Sequence, residues 1–277
     1  MSSTSLVSGG FRLLAVAAVF TASSSAMAAS TWDLGACSAN AANQQATNKN
    51  TYGNTWVCSG TNSGGNVTLT AWGGANSTGS TGYQSAYLAP YGSSSGFGVA
   101  SRYETIGVGS PNHSMDNDPT AVMPDMVLMK FDKAVSLNSI SAGWSQSDAD
   151  LTLMAYTGSG APGLTGKTAS NLGWSMVRSI GDNDGSANGF SATDTDKNYT
   201  GINTGSTMSS WWLVSAYSSS FVGGSALDTL KDYVKLLSVA GEVSSAVRVP
   251  EPASLALVVT ALAGLGWTRR RAGRATR

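Results

Sequence analysis

The run Asn66-Val67-Thr68-Leu69-Thr70-Ala71-Trp72 alternates polar and apolar side chains at period two, and that period fits a half-buried strand, not a helix. Further short runs recur along the chain: Tyr83 to Leu88, Phe97 to Tyr103, Val135 to Trp144, Leu151 to Tyr156, Trp174 to Ile180 and Trp211 to Tyr217. Asp125 to Phe131 is nearly all apolar and reads as a buried strand. Gly, Asn, Asp or Ser bounds each run, and many short strands at this spacing predict a mainly β chain, an antiparallel β-sandwich or jelly-roll-like single domain. Leu227, Leu230, Tyr233, Val234 and Leu237 fit a helical stripe, while Asp232 to Val243 fits a last strand equally well. The expectation is a short helical turn followed by a strand. Gly181 to Ser210 is polar and Gly-rich and is read as a long surface loop.

Both ends depart from this pattern. Residues 1–29 carry one cation, Arg12, then the apolar run Leu13 to Phe20, then small residues ending in Ala26-Met27-Ala28. This is the order of a secretory signal peptide, and the apolar run is too short for a stable anchor. Residues 30–247 are left as one β-rich extracellular domain. The formal net charge of zero conceals an asymmetry, because five of the 16 basic residues lie at the extreme C-terminus. Residues 30–250 hold ten Lys and Arg against fifteen Asp and Glu. An acidic body excludes nucleic acid as a partner, since phosphate binding needs a basic face. Export also places Cys37 and Cys58 in an oxidising compartment, where one disulfide is expected; the alternative is two unpaired thiols. Two Cys and one His are too few for a zinc site.

Residues 248–277 contain three features in order. Val249-Pro250-Glu251-Pro252-Ala253 is held extended by its two prolines. Ser254 to Trp267 is an apolar run, about 21 Å long as a helix and so short for a bilayer core of about 30 Å. Arg269, Arg270 and Arg271 open a terminal cluster that the positive-inside rule keeps cytoplasmic, with the body on the far side. This layout resembles the PEP-CTERM sorting signal. The resemblance implies an exosortase as processing partner, after the secretion translocon and signal peptidase. It also implies a precursor anchored in the inner membrane by a short transmembrane helix and facing the periplasm, with the mature form at the cell surface or in the extracellular matrix. The alternative is a plain single-pass anchor that is never cut.

Stretches of the body are similar to a family of exosortase-dependent surface proteins. They include Trp32-Asp33-Leu34 near Cys37, Val67 to Trp72, Pro111 to Asn117, Gly143-Trp144 with Asp148-Ala149-Asp150, Trp212 to Tyr217 and Tyr233 to Leu237. That resemblance carries no catalytic residues. It implies a non-enzymatic surface or matrix protein associated with exopolysaccharide or biofilm. The competing readings are a secreted carbohydrate-binding module or a carbohydrate-active hydrolase on a jelly-roll scaffold.

Several motifs offer chemistry. Ala161 to Thr168 nearly matches a phosphate-binding loop, but Ala169-Ser170-Asn171-Leu172-Gly173 is a poor continuation as a helix, so a Gly-rich turn is expected. Gly92-Ser93-Ser94-Ser95-Gly96 matches a nucleophile elbow with His113 as the one available base. Glu104 with an Asp is the acid pair a glycosidase would need. Asp-x-Asp pairs at Asp116/Asp118, Asp148/Asp150, Asp182/Asp184 and Asp194/Asp196 offer paired hard oxygens to Ca²⁺. The alternative is Asx-turn chemistry on solvated loops. Beyond Ca²⁺ the sequence calls for no cofactor. Trp72, Trp144, Trp174, Trp211 and Trp212 lie in predicted strands, where core packing competes with sugar stacking.

Overall fold

The computed structural model describes residues 29–39, 52–74, 81–102, 104, 113–117, 123–181, 197–225, 227, 231–244, 261, 262 and 264. Along the chain the strands are β1 (Ala29–Asp33), β2 (Ser38–Ala39), β3 (Trp56–Ser59), β4 (Asn66–Gly74), β5 (Tyr83–Ser85), β6 (Tyr87–Pro90) and β7 (Phe97–Ala100). Then come β8 (Met115–Asp116), β9 (Met126–Ser147), β10 (Leu151–Ala155), β11 (Ser175–Ile180), β12 (Lys197–Thr200), β13 (Ser209–Ala216) and β14 (Asp232–Val243). They form one continuous hydrogen-bonded sheet whose strand pairs are all antiparallel. The mainly β, antiparallel expectation is met.

Strand β9 organises the sheet. The sequence reads it as two strands, yet Asp132-Lys133-Ala134 contains neither Gly nor Pro and the chain runs through as 22 residues. Its first part pairs β4 on one edge, Val67 to Trp72 opposite Phe131 to Met126, and β13 on the other, Trp211 to Ser215 opposite Lys130 to Met126. Its second part pairs β14 along nearly its whole length and β12 on the other edge, Lys197 to Thr200 opposite Ala142 to Ser139. Between the parts, the partner of β13 jumps from Val135 to Lys130 while β13 advances only from Ser209 to Trp211. Such a bulge bends its strand and raises the local twist. Asp132 is tied down at this corner, where its Oδ2 accepts from Asn66 N at 2.9 Å, and Lys133 Nζ donates to Ser63 O at 2.8 Å.

Alternation along the strands then assigns each face. Val67, Leu69 and Ala71, with Val127, Met129 and Phe131, Trp212 and Val214, and Leu151 and Leu153, share a core with Leu137 and Ile140 of the far half of β9, Val234, Leu236 and Val239 of β14, and Phe97 and Val99 of β7. The residues between them, Met126, Leu128, Met154 and Leu213, form a second cluster with Tyr83, Leu164, Leu172 and Phe221. Met126 to Met129 of β9, Trp212 to Ala216 of β13 and strand β10 therefore bury both faces, one against the rest of the sheet and one beneath residues 156–174 and 217–225, while β4 keeps Thr68, Thr70 and Trp72 half-buried on its second face. This is why Asp125 to Phe131 is nearly all apolar. Trp32 stacks edge-on to Phe131 with ring centroids 4.7 Å apart, and Trp56 meets Phe97 at 5.2 Å. Trp212 is fully buried, and its Nε1 donates to Ser209 O at 2.9 Å. Trp72, Trp144, Trp174 and Trp211 are half-buried.

Two sequence readings change. The stretch read as a loop from Gly181 to Ser210 contains β12, which buries Tyr199; the hydroxyl of Tyr199 donates to Ala149 O at 2.7 Å. Lys-Asn-Tyr-Thr has one large apolar residue, too few to show a period. The ambiguous stretch near the C-terminus is a strand from Asp232 to Val243, fixed by partners on both edges. One of these is the first strand, with Ala29 opposite Glu242 and Asp33 opposite Ser238. Cys37 and Cys58 form the expected disulfide, closing a loop worth about 3 kcal/mol in the chain-entropy model.

Candidate functional site

Of the four Asp-x-Asp pairs, Asp148/Asp150 lies wholly among the described residues, and its two carboxylates stand together. Asp118, Asp182, Asp184, Asp194 and Asp196 lie outside the described residues. Asp148 and Asp150 join Asp232, and Asp116 joins Glu104 and Asp125; in each group the carboxylate oxygens lie within 4.8 Å of one another. Sequence reasoning missed Asp125 and Asp232 as members. The signal for Asp125 is an acid abutting an apolar strand, Pro124-Asp125-Met126-Val127.

The two groups differ in what surrounds them. The first knots the β9–β10 turn to the start of β14. Asp148 Oδ1 accepts from Ala149 N at 2.8 Å, and Asp232 Oδ1 accepts from Asp150 N at 2.6 Å. Asn117 Nδ2 donates to Asp232 Oδ2 and to Tyr217 O, and Asn117 Oδ1 accepts from Asp232 N at 2.8 Å. Backbone and amide donors serve Asp148 Oδ1 and both oxygens of Asp232, which is Asx-type turn chemistry carried into the core.

The second group is built from the chain after β7, from β8 and from the residue before β9. Ser101 N donates to Glu104 Oε2 at 2.6 Å, and Asp125 N donates to Asp116 O at 2.7 Å. Asp125 O accepts from Ser215 Oγ at 2.8 Å, which fixes its backbone. Its side chain is different: it is 1 % exposed, and neither carboxylate oxygen has a hydrogen-bond partner. The hydroxyls of Ser101 and Tyr83 are likewise buried without partners. Burial first, then the charges of Asp116 and Glu104, hold the Asp125 carboxyl well above the usual carboxylate range. Burial, then Asp125, raises the Tyr83 phenol well above its ordinary value. Carboxylates this close match a retaining glycosidase, but groups 1 % and 4 % exposed (Asp125 and Asp116) offer a sugar no access.

The remaining motifs resolve as turns. Ser94 lies in a tight turn between β6 and β7, where Gly96 N donates to Gly92 O at 2.9 Å and Tyr91 N to Gly96 O at 2.8 Å. A nucleophile elbow joins a strand to a helix, and this turn joins two strands. His113 is buried, with φ of 69°. The phosphate-loop match packs on β5, with Tyr83 N donating to Lys167 O at 2.7 Å, and is followed by a three-residue 3-10 turn, Ala169–Asn171. Lys235, 6 % exposed, places Nζ 3.9 Å from the ring centroids of both Tyr91 and Trp144.

At the C-terminus, Ala261, Leu262 and Gly264 are helical and exposed. Among the described residues no helix is long and apolar enough to cross a membrane. Residues 248–271 match the family model of the PEP-CTERM protein-sorting motif. The chain carries a PEP-CTERM sorting motif. The matched PEP-CTERM span includes Val249, Pro250, Glu251, Pro252 and Ala253 and reaches Arg269, Arg270 and Arg271, all outside the described residues, as are residues 1–28 of the signal-peptide reading for 1–29, whose last residue, Ala29, opens β1. The PEP-CTERM motif implies exosortase-dependent sorting of an exported, membrane-anchored precursor. Neither curated proteins nor solved structures give a match to the chain.

Proposed function

We propose that this protein is a non-enzymatic surface or matrix protein. It is exported by the signal peptide at 1–29, held in the inner membrane by Ser254 to Trp267 with its body facing the periplasm, and cut at Val249–Ala253 by an exosortase. Its body is a β-sandwich-like domain displayed outside the cell, with extracellular polysaccharide as its partner class. The match at residues 248–271 is the observation that carries this reading. The Cys37–Cys58 disulfide supports it, because such bonds persist in oxidising compartments. So does the acidic body, which favours solubility outside the cell. Tyr91, 38 % exposed, and half-buried Trp144 give an aromatic surface of the kind that stacks on sugars.

The test is to replace Pro250 and Pro252 with Ala in the native host. Intact mass and cell fractionation should show a longer, membrane-retained form. An unchanged mature mass and location would overturn the sorting reading.

A further inference from the structure

We propose that Glu104, Asp116 and Asp125 bind one hard divalent cation, Ca²⁺ in preference to Mg²⁺, which ties the chain after β7 and strand β8 to the start of β9. This stands on the body alone and does not need the sorting reading. Three carboxylates share a space 4.8 Å across, and the innermost is wholly buried. A buried charge without a partner is among the most costly features a fold can carry, and such groups persist when paired or coordinating a metal. The backbone around Asp125 is fully engaged, yet both of its side-chain oxygens are without donors.

The surroundings fit a cation in a second way. Ser101 Oγ, buried and without a partner, lies on the same side as Asp125. A methyl group built on Gly73 would come 2.4 Å from Asp125 Oδ1 and 2.8 Å from Ser101 Cβ, so both side chains converge over the bare backbone of that glycine. Among the described residues the groups that converge here offer oxygen, from carboxylates and a hydroxyl, which selects a hard ion over zinc or copper. Three carboxylates and a hydroxyl make an irregular set that suits the six to eight oxygens of Ca²⁺ better than the strict octahedron of Mg²⁺, which keeps its waters. Glu104, half-buried, marks the side on which the ion enters. In the Asp148–Asp150–Asp232 cluster, by contrast, the chain's own N–H groups already serve Asp148 Oδ1 and both carboxylate oxygens of Asp232.

The experiment uses the full chain in detergent, stripped with chelator and titrated with CaCl₂ or MgCl₂ under thermal melting and calorimetry. With Ca²⁺ a hundredfold above its Kd, Tm should rise by about 5–10 °C. One ion should bind per chain. Asp125→Asn, isosteric and uncharged, should abolish the response. Glu104→Gln, at the half-buried rim, should weaken binding at least tenfold and covers the case in which Asp125→Asn fails to fold. Asp150→Asn should leave the response intact. No response to either ion would overturn the proposal. So would a response retained by Glu104→Gln, or one lost only in Asp150→Asn. An equal response to Mg²⁺ would overturn the preference for Ca²⁺.

Discussion

Lys235 is the residue whose environment most directly sets a pH dependence. Burial between β14 and the rings of Tyr91 and Trp144 lowers its pKa from 10.5 to about 8. Below pH 8 the ammonium is present in both folded and unfolded chains, and the full desolvation penalty opposes folding. As pH rises from 8 towards 10.5 the folded side chain is neutral while the unfolded one still binds a proton, so stability rises with pH. Lys235→Met fills the same space without titrating. Its Tm should exceed that of the wild type at pH 7, and the gap should close as pH approaches 10.5. A gap independent of pH would show that the ammonium is already well solvated. The nearby Tyr91, raised to about 12 by burial and then by Glu104 and Tyr87, does not ionise in this window.

At the scale of elements, the β6–β7 turn contains a natural control. Gly92 and Gly96 both have positive φ, 85° and 73°, but their surroundings are opposite. A methyl at Gly92 meets nothing within 4 Å, whereas one at Gly96 would lie 1.8 Å from Leu236 O, where β7 meets β14. Gly92→Ala should cost about 1 kcal/mol, the price of the left-handed backbone alone. Gly96→Ala should cost about 3 kcal/mol or more, because β7 must also draw away from β14. Urea midpoints for the two variants compare the terms directly. Equal losses would mean that the β7–β14 approach is loose. This close approach was not legible in the sequence, where the same residues read as part of a Ser/Gly run. Strands β4, β10 and β13 were legible because their alternation or apolar runs report burial directly. The continuity of β9 was not, since a polar Asp-Lys pair at a bend looks like a turn until Asp132 is seen bonded to Asn66. In the candidate site, Asp116 carried a local signal as one of a pair. Its true partners, Glu104 and Asp125, are set by long-range register, which no local pattern encodes.

At the scale of the molecule, the sheet depends on its last strand. Strand β14 pairs the far half of β9 on one edge and β1, β7 and β8 on the other. Ending the chain at Lys231 would strip β1 and half of β9 of their partners and open the core at Val234, Leu236 and Val239. That truncation should lose cooperative unfolding altogether, as read by denaturant titration with tryptophan fluorescence. A sharp transition would show that the first half of β9 with β4, β13 and β10 folds alone. The same architecture puts both exits of the body side by side, with Ala29 opposite Glu242. A polypeptide threading a membrane pore from its amino end delivers β1 first and its mate nearly last. The earliest strand must therefore wait, unpartnered, until almost the entire body has crossed. Only then can the sheet close; in the export route proposed above this falls just ahead of the segment that arrests passage, so the body would lock shut at the moment it is tethered.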